Sequence, residues 1–356
     1  MTKPMSINIR EILASGPITA SAPCRVDMGG TLDLSTFYIP LRSLKPCTFN
    51  MALALRTKAR IEAWEPGRVR VASKGFKSAE FPSGQAPFNH PLGFMFAVAN
   101  YFSTDGISIS IESSSPPRSA LGGSSAAAVA LVAALQEAVS RSGGKAMTRR
   151  RAVLLAHALE SSVAGVPCGL QDHLAAAYGG VNAWHWPVSM TSPIFKRAPV
   201  IRSSRFNDLA RHTLVAYCGE PHTSADVNGE WVRQFIAGER RERWEQVADC
   251  THTFIEALAA MDIETATASM NREVELRLAM TPGVLDQVGG SLVKAAVASG
   301  CGARFTGAGG GGCVWALGHT EDIDSLRQMW ETILLARTDA RLLDSTIDRK
   351  GLEIHQ

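Results

Sequence analysis

The run Gly122-Gly123-Ser124-Ser125 stands between a strand-like segment and an alanine-rich apolar stretch that starts at Ala126. The first turn of a helix leaves N–H groups unpaired, and the helix dipole adds partial positive charge there. Glycines let a backbone approach an anion, and serine hydroxyls bind an anion or a hard cation. This is the composition of a phosphate cradle; a plain capped helix after a flexible loop has it too. It is no Walker A loop, because Gly144-Lys145 is followed by Ala146 and lacks the upstream glycine. A second glycine run, Thr306-Gly-Ala-Gly-Gly-Gly-Gly312, formally holds G-x-G-x-x-G at Gly307, Gly309 and Gly312. The residues after it, C-V-W-A-L, read as a strand and not as the opening of a helix, so a dinucleotide site is the weaker reading. Two carboxylates lie twelve residues apart, Glu160 and Asp172, the latter among small and apolar neighbours. Asp172 is a helix cap or a working base. The segment from Ser21 carries Arg25, Asp27, Thr31 and Asp33 where a strand ends, and by itself is an ordinary turn.

The elements that must position these residues are read from periodicity and punctuation. Ile18 to Val26 reads as extended, and residues 46 to 73 as strands with near-alternating polarity; residues 74 to 92 read as loop. A helix is expected from Pro91 to Phe102 and a strand from Gly106 to Glu112. Ser124 opens a helix that Gly143-Gly144 stops, Thr148 caps another reaching Val163, and Leu170 to Tyr178 is a short one. V-N-A-W-H-W is a strand. Beyond a composition shift at residues 187 to 206, strand His212–Tyr217 precedes a mostly helical stretch from Ala225 to Ala260. Helices are expected over Ile263–Met280, Leu285–Ser299 and Glu321–Thr338. Arg304–Leu317 reads as a strand–turn–strand hairpin, and Arg341–Ile354 as extended. Strands and helices mix without strict alternation, which predicts an α+β fold.

The chain has 356 residues, which suits two domains, expected at 1–195 and 196–356. Apolar residues make up 46% and charged residues 19%, enough for a substantial core. A net charge of +3 gives no ground for a nucleic-acid or membrane partner. Seven scattered cysteines without a C-x-x-C pair predict neither a disulfide framework nor a zinc ribbon. A reducing, cytoplasmic setting is expected. The longest apolar run, Ala126 to Leu135, is too short to cross a bilayer.

Four motifs in order resemble those of the GHMP kinases. They are A-P-C-R-V-D-M-G-G from Ala22, P-R-S-A-L-G-G-S-S-A-A from Pro117, G-V-P-C-G-L-Q-D-H from Gly165 and T-G-A-G-G-G-G-C-V from Thr306. The resemblance spans nearly the whole chain. It implies a ribosomal-protein-S5-domain-2-like N-terminal domain and a ferredoxin-like C-terminal domain, with ATP and Mg²⁺ as cofactors. It places ATP under the 117–126 loop, with Pro117, Ser119, Leu121 and Ala126 completing the Gly122–Ser125 cradle. Ser125 and Glu160 would hold Mg²⁺, Asp172 would face the acceptor hydroxyl, and Arg25 would offset charge on the transferred group. Gly30, Thr31, Asp33, His222, Gly309 and Gly310 would surround the acceptor. The sugar branch fits best: Gln171-Asp172-His173 followed by Y-G-G-V-N resembles the D-glycero-D-manno-heptose 7-phosphate kinases. That implies a small-molecule sugar or sugar-phosphate partner and a monomer or homodimer. Fucose, galactose, arabinose, a polyol and mevalonate are alternative acceptors, and an inactive ATP- or sugar-binding sensor is the alternative of another class. Arg118 and Ala120 stand where the family's central loop has glycines, and His173 stands where it has glutamine.

Overall fold

The computed structural model describes residues 9–188, 191, 193–221, 227–344 and 346–355. Its strands are β1 (Ile18–Met28), β2 (Cys47–Ala63), β3 (Arg68–Ser73), β4 (Ala79–Pro82), β5 (Ile107–Ser113), β6 (Val181–His185), β7 (Lys196–Pro199), β8 (Thr213–Tyr217), β9 (Gly302–Phe305), β10 (Cys313–Leu317), β11 (Arg341–Leu343) and β12 (Glu353–His355). Its helices are α1 (Ile9–Ala14), α2 (Ser35–Tyr38), α3 (Gly93–Tyr101), α4 (Gly123–Arg141), α5 (Arg149–Val163), α6 (Gln171–Tyr178), α7 (Phe206–Arg211), α8 (Val227–Ile236), α9 (Arg241–Ala260), α10 (Ile263–Met280), α11 (Gln287–Ala298) and α12 (Thr320–Leu334).

Two sheets organise these elements. The first runs β12-β1-β2-β5-β3-β4, with β6 also on β2 and β7 on β6. Strand β2 is its hub, and its sequence shows why. Cys47 to Leu53 is buried without interruption, as expected of a stretch covered on both faces. From Thr57 the buried and exposed residues alternate, and that half pairs with β5. The second sheet is antiparallel, in the order β11-β8-β10-β9. Counted within its own unit, that is strand order 4-1-3-2 with helices after the first and third strands, the ferredoxin-like arrangement. Phe49 of β2 packs on Phe254 of α9 and Trp315 of β10, with ring centroids 5.0 and 6.3 Å away, so a single aromatic cluster joins the two units.

Helix α4 is apolar all round because it is buried all round, against β1 and β2 and beside α5 and α6. It is the one helix among the described residues long and apolar enough to cross a membrane, and here its apolar surface is spent on the core. Thr148 caps α5 by accepting from the Arg151 N–H at 3.3 Å, as its residue type predicts.

One expectation changes, and the structure adds detail to two others. The 74–92 loop contains β4, a short edge strand on β3. The helical stretch after residue 225 is two helices, broken where Arg240 takes φ 54°. The division at residue 195 does not follow the sheets, since β7 and β12 lie beyond it and both pair into the first sheet. Strand β12 covers the free edge of β1, which otherwise would present unpaired backbone groups.

Candidate active site

The loop from Ser115 to Gly122 delivers the chain to the start of α4. Gly122 sits in the left-handed region at φ 73°, and the first intrahelical bond runs from the Ala126 N–H to its carbonyl at 2.9 Å. The N–H groups of Gly123, Ser124 and Ser125 precede that bond, and all three residues line the cavity. A Cβ on Gly122 would come within 3.3 Å of an Asp172 carboxylate oxygen, so the glycine keeps this approach open. Arg118 and Ala120 also have positive φ, 53° and 59°. The backbone therefore adopts glycine's conformation at both positions where the resemblance expects glycine, and two ordinary residues bear the strain. Ala120→Val is expected to lower stability by roughly 1–3 kcal/mol in urea unfolding, whereas Ala120→Gly is not. Arg118 lines the cavity, with its guanidinium 6.0 Å from the Phe76 ring centroid.

Glu160, near the end of α5, reaches the same helix start. Ser124 Oγ donates to its Oε1 at 2.5 Å, Ser125 Oγ donates to Oε2 at 2.8 Å, and His173 Nε2 lies 2.8 Å from Oε2. Burial pushes the Glu160 pKa up, but His173 and the two serines outweigh it and bring it down to about 2. The result is a buried, ionised carboxylate beside a hydroxyl at a helix N-terminus. Among the described residues no group of three His, Cys, Asp or Glu side chains could hold a metal by itself. A hydroxyl plus one carboxylate is what Mg²⁺ uses when nucleotide phosphates complete its shell, so the donor set fits that cation.

Arg25 on β1 and Asp172 at the start of α6 form a bidentate pair, Nε to Oδ1 and Nη2 to Oδ2, both 2.8 Å. The third arm donates to the Ala120 carbonyl at 2.7 Å. Burial works against the Arg25 charge, but Asp172 and Asp27 outweigh it and hold the guanidinium protonated. The pair thus ties the first, second and third motifs together at one point.

Beyond Asp172 the cavity continues past Asp33, Thr31, Asn228 and Gly307. Asp33 accepts from the Gln171 N–H at 2.9 Å, and burial, with Asp172 nearby, raises its pKa to about 6. Thr31 Oγ1 donates to Asn228 Oδ1 at 3.0 Å. The whole cavity is about 590 Å³. At its other end, Phe76, Leu92, Phe94, Met95 and Ile111 give an apolar lining beside Lys74 and Arg118.

Of the residues singled out in the sequence, Arg25, Thr31, Asp33, Pro117, Ser119, Gly122 to Ser125, Glu160 and Asp172 line this one cavity. Leu121, Ala126, Gly30, Gly309 and Gly310 do not. Leu121 is buried, its carbonyl accepting from the Arg25 N–H at 2.9 Å, and Ala126 is buried in α4. The Gly30 carbonyl accepts from Arg277 at 2.6 Å. Gly310 N–H donates to the Val284 carbonyl at 2.8 Å, and a Cβ on Gly309 would meet that same oxygen at 2.5 Å. From the 306–312 turn it is Gly307 and Ala308 that face the cavity. The turn joins antiparallel β9 and β10 and leads into no helix, which removes the dinucleotide reading. Its task is close approach: a Cβ on Gly312 would lie 2.6 Å from the Ser119 carbonyl. His222 lies outside the described residues.

A buried ionic chain behind the site escaped the sequence reading. Asp27 accepts from the Gly307 N–H at 2.7 Å and from Arg304 at 3.2 Å. Arg304 donates to Glu273 at 2.9 Å, and Glu273 accepts from Arg277 at 2.8 Å. Arg277 lies between the Trp231 and Trp244 rings, 4.7 and 4.6 Å from their centroids, and reaches Gly30. This chain fixes both loops that flank the Asp33 end of the cavity.

Residues 89–180 match the family model described as the GHMP kinases N terminal domain. The chain is 26% identical over 328 residues to a mevalonate kinase of Thermococcus sibiricus, covering 84% of this chain and 89% of that one. In fold it is similar to Lactococcus lactis galactokinase complexed with galactose, at TM-score 0.73 and 16% identity over 97% of each chain. It is likewise similar to a D-glycero-D-manno-heptose 1-phosphate kinase from Bacteroides thetaiotaomicron, at TM-score 0.71 and 14% identity over 95% and 99% of the two chains. These matches show that the chain has the GHMP kinase fold, and its relatives of that fold support a phosphotransferase acting on an alcohol.

Proposed function

We propose that the protein transfers the γ-phosphoryl group of Mg²⁺·ATP to a hydroxyl of a small neutral sugar. The observation that carries this reading is the Arg25–Asp172 pair. It sits between a helix N-terminus suited to phosphates and a chamber walled by Asp33, Thr31 and Asn228. Phosphoryl transfer needs mainly positioning and charge neutralisation. The Gly123–Ser125 N–H groups hold phosphate oxygens, and the apolar end around Phe76 takes the base. Ser125 and Glu160 hold Mg²⁺, which when bound neutralises phosphate charge. Asp172 orients the acceptor hydroxyl and takes its proton as the oxygen bonds to phosphorus and the bond from phosphorus to the β–γ bridging oxygen breaks. Arg25 offsets the negative charge of the moving group and keeps the Asp172 carboxylate aimed.

The acceptor end favours hydroxyls over anions. Its described charged groups are Asp33, Asp172 and Arg25, with Arg25 committed to Asp172 and the Cys168 thiol kept neutral by burial; Lys74 and Arg118 stand at the nucleotide end. A sugar hydroxyl can donate to Asp33, whereas a carboxylate or phosphate would meet like charge. This balance favours a neutral sugar over the heptose 7-phosphate that the motif resemblance suggests. Mevalonate is the second reading, favoured by the relative from Thermococcus sibiricus.

Asp33→Asn tests the acceptor assignment: KM for the acceptor rises at least tenfold while KM for ATP stays within about twofold, as a lost hydrogen bond to a charged group predicts. An equal rise in both would count against it. The same variant carries a pH signature. The folded-state pKa of Asp33, about 6, lies above its ordinary value of 3.8. The folded state therefore holds the proton more tightly, and this stabilisation is present below pH ~4 and is lost as pH rises through ~6. The stability of Asp33→Asn relative to the parent should accordingly improve between pH 4 and 7, read by thermal melts across that range.

A further inference from the structure

We propose that His173 is the positioning residue that fixes the Glu160 carboxylate for Mg²⁺, an inference that rests on the assignment of Ser125 and Glu160 to the cation. His173 is fully buried on α6, next to Asp172 in sequence, yet its side chain turns away from the cavity toward α5. There Nε2 lies 2.8 Å from Glu160 Oε2. The ring is itself held edge-on by His157, centroids 5.3 Å apart at 89°. His157 is anchored in turn: its Nε2 lies 3.0 Å from the Cys168 carbonyl, which can only accept, so Nε2 carries the proton. The two rings form a buttress behind the carboxylate, running from α6 through α5 to the 165–169 loop.

The buttress distinguishes the two carboxylate oxygens. Each oxygen accepts one serine hydroxyl, Oε2 from Ser125 and Oε1 from Ser124, but Oε2 alone also lies 2.8 Å from His173 Nε2, a close approach out of line for a hydrogen bond. Oε1 is therefore the oxygen more free to meet a cation, and His173 sets the plane in which it is presented. Mg²⁺ demands near-ideal octahedral geometry, so a ligand held in one orientation binds it better than one that rotates. Histidine does this with a rigid ring. Glutamine could reach the same oxygen with a side-chain N–H, and an apolar side chain could not.

The test is Mn²⁺ binding in the presence of a non-hydrolysable ATP analogue, followed by electron paramagnetic resonance, alongside binding of the analogue in EDTA. His173→Ala should weaken Mn²⁺ by about 10-fold or more, within the range for lost outer partners of metal ligands. It should leave metal-free analogue binding within about twofold, and His173→Gln should restore Mn²⁺ affinity to within about threefold of the parent. Unchanged Mn²⁺ affinity in His173→Ala would overturn the proposal. So would an equal loss of metal-free binding, or a failure of His173→Gln to restore affinity in a folded protein, because either shows a packing role. Glu160→Gln separates the two levels: if it leaves Mn²⁺ affinity unchanged, the cation assignment itself is wrong, whatever His173 does.

Discussion

Asp172→Asn should lower kcat by about 10²–10⁴-fold, the range for removing a positioned acid–base group. Three features make this expectation specific. Asp172 lines the cavity where the helix N-terminus and the Asp33 chamber meet. Both of its oxygens are paired to Arg25 at 2.8 Å, so its orientation is already set before any ligand arrives. Asparagine keeps the shape but only one of the two acceptor oxygens for Arg25, whose charge Asp27 still faces, so the variant should fold with lower stability and bind ATP while proton acceptance is lost. Arg25→Lys gives the complementary result. Lysine keeps the charge but cannot make the bidentate pair or hold the Ala120 carbonyl with the same fork. Its kcat should also fall, with KM for ATP less affected. Single-turnover measurements separate this loss in the chemical step from slow product release. Turnover by Asp172→Asn at the parental rate would show that the carboxylate neither takes the proton nor orients the hydroxyl.

The largest loss of stability is expected at a residue that touches no ligand. Glu273 is fully buried between Arg304 and Arg277, and although burial alone would raise its pKa, the two arginines bring it below the usual carboxylate range. Removing one member of a buried ionic group leaves the others uncompensated, at about 3–5 kcal/mol. Glu273→Gln should therefore unfold at markedly lower urea concentration than the parent. Glu275→Gln is the control: its pair with Arg272, at 3.0 Å, is exposed, and its loss should change stability by less than ~0.5 kcal/mol. Because Arg304 holds Asp27 and Arg277 holds the Gly30 carbonyl, whatever Glu273→Gln protein remains folded should also show weaker acceptor binding. Equal stability of the two variants would mean that the buried chain contributes nothing beyond its packing.

Much of the site was legible because its residues are punctuation. Gly122 to Ser125 mark a helix start, and Asp172 is a carboxylate among small and apolar neighbours, so residue type drew attention to them, whereas Glu160 was marked by the motif resemblance. The convergence of Arg25 on Asp172 was not legible. It depends on β1 and α6 meeting across 147 residues of chain, which no local pattern encodes. The identity of the cavity-facing residues in the 306–312 turn was also hidden, because successive glycines offer no side-chain pattern to read. The ionic chain does leave a signal in the sequence. Ala266, Met270, Glu273, Arg277 and Met280 recur at helical spacing on the buried stripe of α10. Two opposite charges on an otherwise apolar stripe announce a buried pair. The strand β4 within the 74–92 loop was missed because four residues of mixed polarity, Ala-Glu-Phe-Pro, have no alternation to detect and owe their pairing to β3.

The central claim is that this site phosphorylates a neutral sugar with Mg²⁺·ATP. The most direct measurement is ADP release with Mg²⁺·ATP across a panel of free heptose, heptose 7-phosphate, galactose, fucose, arabinose, inositol and mevalonate, with product identity read by phosphorus NMR. The account predicts Mg²⁺-dependent ADP release and a new phosphomonoester with at least one uncharged sugar, at a kcat/KM at least tenfold above that for mevalonate or heptose 7-phosphate. Preference for mevalonate or for the phosphorylated heptose would contradict the acceptor assignment, and ATP binding without ADP release from any of them would contradict the kinase itself.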